Sequence, residues 1–293
     1  MISDDRPMTC LRRPLPLLAL FLTAACGAAV EKAPPLPMAE APVLGGVVPA
    51  TPAPSATVPP AVAAAPCRPV TFENADYTVC ELDLRRYRLG LYWEDRNGQA
   101  YGTLPAFNQA MAGAGDPAVV AMNAGMYHPD LSPVGLFVAG GRTLQPATQA
   151  EGDGNFFMKP NGVFYVADGR AGVLETGAYL QQAPRAEIAT QSGPMLVVGG
   201  AFHPMFSTDG PSRKIRNGIG VRDDHTVVFA ISHGGVSFGS FARLFRDVLG
   251  CPNALYLDGS ISALSAPDGL SVGWGIRVGP ILAAFDRSAV PEG

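Results

Sequence analysis

Short apolar runs closed by Gly, Pro, Asn or Asp, only two stretches of helical spacing, and one strand–helix–strand unit near the C-terminus predict an α+β domain with many strands and few helices. The strand-like runs are 77–82, 89–93, 119–122, 134–138, 162–166, 195–198, 218–221, 227–232, 254–257 and 281–285. The first helix, over 104–112, is short and ends at Gly113. The second spans 237–249. Phe238, Phe241, Ala242, Phe245, Val248 and Leu249 recur at helical spacing, Ser237 caps the start and Gly250 closes the end. Strand 227–232, this helix and strand 254–257 read as a β-α-β unit with a right-handed crossover. That puts Asp258 at the carboxyl end of a sheet strand, where α/β proteins commonly build their sites. Asp258-Gly259 is equally well read as a plain turn pair.

The chain has 293 residues, 47% of them hydrophobic and 16% charged, which is ample for one core. A net charge of −4, with no basic run, argues against a nucleic-acid binder. Arg12 and Arg13 precede LPLLALFLTAA and Cys26, so residues 1–26 read as an export signal too short to span a bilayer comfortably. Met8 is an alternative start. The small residues before Cys26 fit a lipoprotein site, with simple cleavage near Ala25 as the other reading. Residues 27–66, mostly Ala, Pro and Val, form a tether. The expectation is an exported, periplasmic protein anchored as a lipoprotein through Cys26, with one folded domain over 67–287. Export permits disulfides, and Cys67 and Cys80 flank a strand, a turn at 73–76 and a second strand, so they are the expected pair. Cys251 is then an unpaired core thiol.

Several stretches embed polar residues among glycines beside strand-like runs: NAGMYHPD (123–130), GNFFMKPNGVF (154–164), ATQSGPMLV (189–197), RKIRNGIGV (213–221) and LDGSISAL (257–264). Together they suggest loops converging on a cleft. Arg213 and Arg216 are candidates for a phosphate or carboxylate, although arginine is this chain's default cation, with three lysines in all. His128, His203 and His233, with Asp130 or Asp258, lack any metal-ligand spacing, so no metal is expected; His233 alone is a candidate proton donor. Ser192 and Ser262 are candidate nucleophiles without a visible base, and no phosphate-binding loop is present. Tyr127 and Trp93 are candidate sugar platforms, Trp93 reading better as core.

NAGMY, KPNGVF, ATQSGPML, RNGIGV and LYLDGSIS, in this order, resemble the bacterial phosphodiester glycosidase family, which is related to the mannose 6-phosphate uncovering enzyme. The resemblance covers roughly 67–285. It implies an α+β fold with a mixed sheet, no cofactor, and a carbohydrate phosphodiester as substrate. It places Asn123, Gly125 and Tyr127 on the family's glycine loop, Arg216 before its glycine-bearing strand, and Asp258, Gly259 and Ser262 on its Asp-Gly-Gly-Ser signature, with Ser260 standing for the second glycine.

A phosphate leaving group needs a cation more than an acid, so Arg216, seconded by Arg213, is assigned to the phosphate and Asp258 to the anomeric carbon, as nucleophile or as base to a water. Asn123, Asn161 and Gln191 are assigned to sugar hydroxyls, with Ser192, Gly193 and Asn217 lining the cleft. Asp130, Asp153 and Asp209 are candidates for the second carboxylate. The rival readings are a non-catalytic glycan-binding domain and a phosphodiesterase that cuts the P–O bond.

Overall fold

The computed structural model describes residues 65–289. The export signal (1–26) and all but the last two residues of the tether (27–66) lie outside them. In chain order the elements are β1 (Cys67–Phe72), β2 (Ala75–Asp83), β3 (Tyr87–Tyr92), α1 (Leu104–Gly113), β4 (Val120–Asn123), β5 (Phe137–Ala139), β6 (Arg142–Gln145), β7 (Gly162–Ala167), β8 (Arg170–Glu175), α2 (Thr176–Gln182), β9 (Ile188–Ser192), β10 (Met195–Val198), β11 (Ala201–Phe202), β12 (Asn217–Asp223), β13 (Thr226–Ser232), α3 (Phe238–Arg243), β14 (Asn253–Asp258), β15 (Leu264–Ser265) and β16 (Ile281–Asp286).

The strands form three sheets. One has seven strands in the order β1-β2-β13-β12-β14-β10-β11, one has four in the order β15-β4-β16-β3, and one has five in the order β6-β5-β9-β7-β8. Every neighbouring pair is antiparallel, which corrects the expected mixed sheet. The expected β-α-β unit exists as β13, α3 and β14, and its strands do run parallel. They are not neighbours, because β12 lies between them, antiparallel to both. The β12–β13 hairpin had already filled the place beside β13, so the returning chain pairs on the far side of β12.

The three sheets share one core, in which Leu82, Ile219, Phe229, Leu255 and Leu257 of the large sheet meet Leu89, Met122 and Leu282 of the second and Phe137, Phe164 and Val173 of the third. Each sheet's outer face carries one helix. On the large sheet α3 packs Phe241 and Phe245 onto Tyr77, Val79, Ala254 and Tyr256. On the second, α1 brings Leu104 and Phe107 to Ala121, Ile281 and Phe285. On the third, Tyr179 of α2 covers Leu136, Val138 and Val163.

Ser237 caps α3 as expected, its Oγ accepting the Ser240 amide at 3.1 Å. The helix then widens into a π-turn over Leu244–Val248. That extra residue rotates Val248 out, 43% exposed, and Leu249 in, 1% exposed. Cys67 and Cys80 face each other across β1 and β2 and are joined by the disulfide, fastening an outward-facing edge strand. Cys251 is free and buried, and burial pushes its thiol up to about 12, so it packs rather than reacts.

Candidate active site

Asp258 is the last residue of β14. Leu255 and Leu257 point into the shared core, Ala254 and Tyr256 toward α3. A bulge then breaks the alternation: Gly218 of β12 pairs with Tyr256 but its neighbour Asn217 pairs with Asp258, so the strand ends with the carboxylate opposite Asn217. The chain turns at once. Asp258 Oδ1 accepts the amides of Gly259, Ser260 and Ile261 at 2.6, 2.8 and 3.1 Å. Both readings of the Asp-Gly pair therefore hold: one oxygen builds the turn, and the other takes no hydrogen bond from the described residues. Asp258 is 9% exposed. Burial raises its pKa, and the three amides oppose that without cancelling it.

A clamp of amide side chains holds this turn. Asn217 Oδ1 accepts the Asp258 amide at 3.0 Å, while its Nδ2 donates to the carbonyl and the side chain of Asn123 at 2.8 and 3.0 Å. Asn123 in turn accepts the Ala263 amide and donates to the Ile261 carbonyl. Ser262 Oγ lies 3.0 Å from the carbonyls of Ile215 and Asp258. Asn123, Asn217 and Ser262 are buried and spent on one another, so they position Asp258 rather than meet a ligand.

Arg216, just ahead of β12, is fully buried. Its Nε donates to the Val236 carbonyl, Nη2 to the Ser212 carbonyl and hydroxyl, and Nη1 to the Tyr256 hydroxyl. Phe238 lies under the guanidinium at 3.7 Å from its ring centre. No carboxylate pairs with it among the described residues. A buried cation without an anionic partner is costly, and burial lowers its pKa. One N–H of the fork, on Nη1, has no partner among those bonds. Tyr256 feels both charges, Arg216 and Asp258, and its hydroxyl is pushed up by burial above all.

Gly259 sits over this group. A Cβ there would fall on the Tyr256 hydroxyl and 3.2 Å from Arg216 Nη1. The glycine thus lets the turn close onto Tyr256 and Arg216, rather than clearing space for a substrate. Gly259→Ala is expected to displace the donors around Asp258 and lower kcat at least about tenfold, with a fall in melting temperature; steady-state kinetics and thermal melting check it. Gly218 and Gly220 have a similar use, since a Cβ on either would press on Phe245 of the helix segment.

Tyr127 of the first glycine loop is part-exposed and feels the Asp258 charge. Its hydroxyl donates to the Arg277 carbonyl at 2.9 Å, and burial, then the Asp258 charge, pushes it up to about 12. Gly125 is buried against the Gln191 carbonyl.

The third sheet's polar residues are elsewhere engaged. Gln191 accepts the Leu136 and Thr148 amides and donates to the Thr148 carbonyl. Asn161 bridges Phe156 and Thr176. Ser192 donates to the Leu257 carbonyl, and Gly193 packs on Phe156 and Asn161. These four tie the third sheet to the loops behind the site.

His233 is turned away. Its Nε2 lies 2.9 Å from Thr78 Oγ1, whose own proton goes to the Leu270 carbonyl, so Nε2–H donates. Arg213 is exposed and paired with Asp209. Asp130 is held in a turn by Ser132, and Asp153 lies on the exposed stretch 151–154. Among the described residues no second carboxylate shares a hydrogen bond with Asp258. Among the described residues no three His, Cys, Asp or Glu side chains converge. His203 is buried against Phe206. Trp93 packs edge-on to Phe137 in the shared core, away from this site. Tyr256, Phe238 and Arg277 were missed in the sequence. Tyr256 was readable, standing two residues before Asp258 on the same strand.

Residues 116–269 match the family model for phosphodiester glycosidases. The chain belongs to that family. The match takes in the Asn123 loop, Arg216 and the Asp258 turn. A curated Escherichia coli K12 relative, uncharacterized protein YigE, is 37% identical over 175 residues, or 60% of this chain and 68% of that protein. The fold is similar to the catalytic domain of zebrafish N-acetylglucosamine-1-phosphodiester alpha-N-acetylglucosaminidase, auto-inhibited by its pro-peptide, with a TM-score of 0.53 over 75% of this chain and 82% of that one. At 13% identity this likeness speaks to fold alone.

Proposed function

We propose that this phosphodiester glycosidase hydrolyses the glycosidic bond of a sugar-1-phosphate diester, and that it does so on a glycan or glycoconjugate of the cell envelope, as an exported lipoprotein held through Cys26. The observation that carries the reading is a buried guanidinium and a buried carboxylate, Arg216 and Asp258, both against the Gly259 turn without an ion pair between them. A substrate with a negative phosphate on one side of an anomeric carbon matches that arrangement. The C1–O bond breaks, its electron pair stays on the phosphate oxygen, and the monoester leaves into the field of Arg216 across the Gly259 turn. Asp258 faces the electron-poor C1, as nucleophile or as base to a water whose oxygen ends on the sugar. A phosphate leaving group needs little protonation, which suits a site with one carboxylate.

That missing second carboxylate also favours a second reading, a glycan-binding module. Hydrolysis of a panel of sugar-1-phosphate diesters by the domain from Cys67 onward separates the two. Free sugar released by wild type and not by Asp258→Asn supports the glycosidase; binding without release from any diester supports the module.

A further inference from the structure

Trp274 is 71% exposed, an unusual place for an indole that packs on nothing. It stands at the tip of a tight turn. The Ile276 amide bonds the Gly273 carbonyl at 3.2 Å, and Gly275 takes φ +79°, as the third position of a type II turn requires. Both feet of this turn rest on the site already described. A Cβ on Gly273 would come within 2.5 Å of the Ser262 carbonyl, and the Ser262 hydroxyl bonds the Asp258 carbonyl at 3.0 Å. At the other foot, the Arg277 carbonyl receives the Tyr127 hydroxyl, which feels the Asp258 charge. Trp274 is one residue from the first foot, about 3.8 Å of chain. Arg216 is held by different segments, at Ser212 and Val236.

We propose that Trp274 is a stacking platform for a pyranose ring of the substrate, an inference that rests on the sugar-phosphodiester reading above. An indole offers a flat apolar face with little side-chain entropy to lose, and a pyranose presents a face of C–H groups with a polar rim. Ser260, in the Asp258 turn, and Arg277, three residues after the indole, are exposed and offer polar groups of the kind that rim needs. The turn also exposes Ile276, so the apolar part of the surface is Trp274 and Ile276, between Gly273 and Arg277.

Trp274→Ala is expected to raise KM about five- to tenfold with kcat changed less than about twofold, and Trp274→Phe to restore most of it. The chain has two tryptophans, and Trp93 is the half-buried one with a buried Nε1, so ligand-induced emission changes report Trp274. Hexose 1-phosphates and N-acetylhexosamine 1-phosphates should shift the emission of wild type and of Asp258→Asn, inorganic phosphate should not, and Trp274→Phe should lose the signal. An unchanged KM in Trp274→Ala with no emission shift overturns the platform while leaving the glycosidase reading standing. Should wild type hydrolyse no diester, the reaction reading fails by itself, and the emission titration alone decides the platform: a shift upholds it, no shift overturns it.

Discussion

Asp258→Asn is expected to abolish turnover and to raise the melting temperature. The two effects have one cause. Burial raises the pKa of Asp258 in the native state, while the unfolded chain keeps the ordinary carboxylate value. Between those values the native state holds the extra proton. Stability from this group is therefore full below the unfolded pKa and falls as pH rises through the folded one, so at neutral pH the ionised carboxylate is a net cost. Asparagine removes the charge and keeps an oxygen for the amides of Gly259, Ser260 and Ile261. The expected rise is about 2–4 °C per kcal/mol regained for a domain of this size. Alanine removes the acceptor as well, strands three amides, and should melt below wild type. Turnover should fall at least about a thousandfold in both variants, since each lacks the carboxylate that the proposed reaction sets against C1. In wild type, the acidic limb of kcat/KM should lie above the ordinary aspartate range, because the active form is the ionised one. Thermal melts and a pH–rate profile check the set. A wild-type-like rate in Asp258→Asn, or an acid limb at the ordinary value, contradicts it.

Arg216→Gln has the second large effect. The arginine is fully buried, carries no carboxylate partner among the described residues, and leaves one N–H of its fork unbonded in the hydrogen-bond set around it. An anionic group in the mouth gains from that charge in a low-dielectric setting. Glutamine should cost at least about a hundredfold in kcat/KM. Arg216→Lys should recover part of it, because a lysine keeps the charge and loses the bidentate geometry over Phe238. Inorganic phosphate offers a readout without turnover. At ten times its dissociation constant it should stabilise wild type by about 1.4 kcal/mol, and Arg216→Gln by much less. Equal stabilisation of both proteins would remove Arg216 from phosphate binding.

The runs that became β2, β10, β13, β14 and β16 were legible because they are apolar and alternate or stay buried throughout. β6 and β8 were not, since both are part-exposed edge strands: Arg142–Gln145 is mostly polar, and Arg170–Glu175 has only a short small-residue stretch between two charges. β9 was hidden for the opposite reason. It is buried along its whole length, yet Thr190, Gln191 and Ser192 look like site residues because their hydrogen-bond partners are invisible in a linear chain. The same blindness assigned Asn123 and Asn161 to a sugar. A buried amide beside a glycine reads the same whether it holds a ligand or a loop, and only its partners separate the cases. The mixed sheet failed on topology: a helix between two strands predicts that they run parallel, not that they are neighbours. Asp258 and Arg216 stand out in the sequence because each is a charge set against an apolar strand, and the structure buries both.

The central claim is that water attacks the sugar rather than the phosphorus. Hydrolysis in oxygen-labelled water, followed by mass analysis of both products, tests it most directly. The account predicts label in the released sugar and none in the phosphate monoester, with neither product formed by Asp258→Asn. Label in the phosphate would make the enzyme a phosphodiesterase and take Asp258 away from the anomeric carbon.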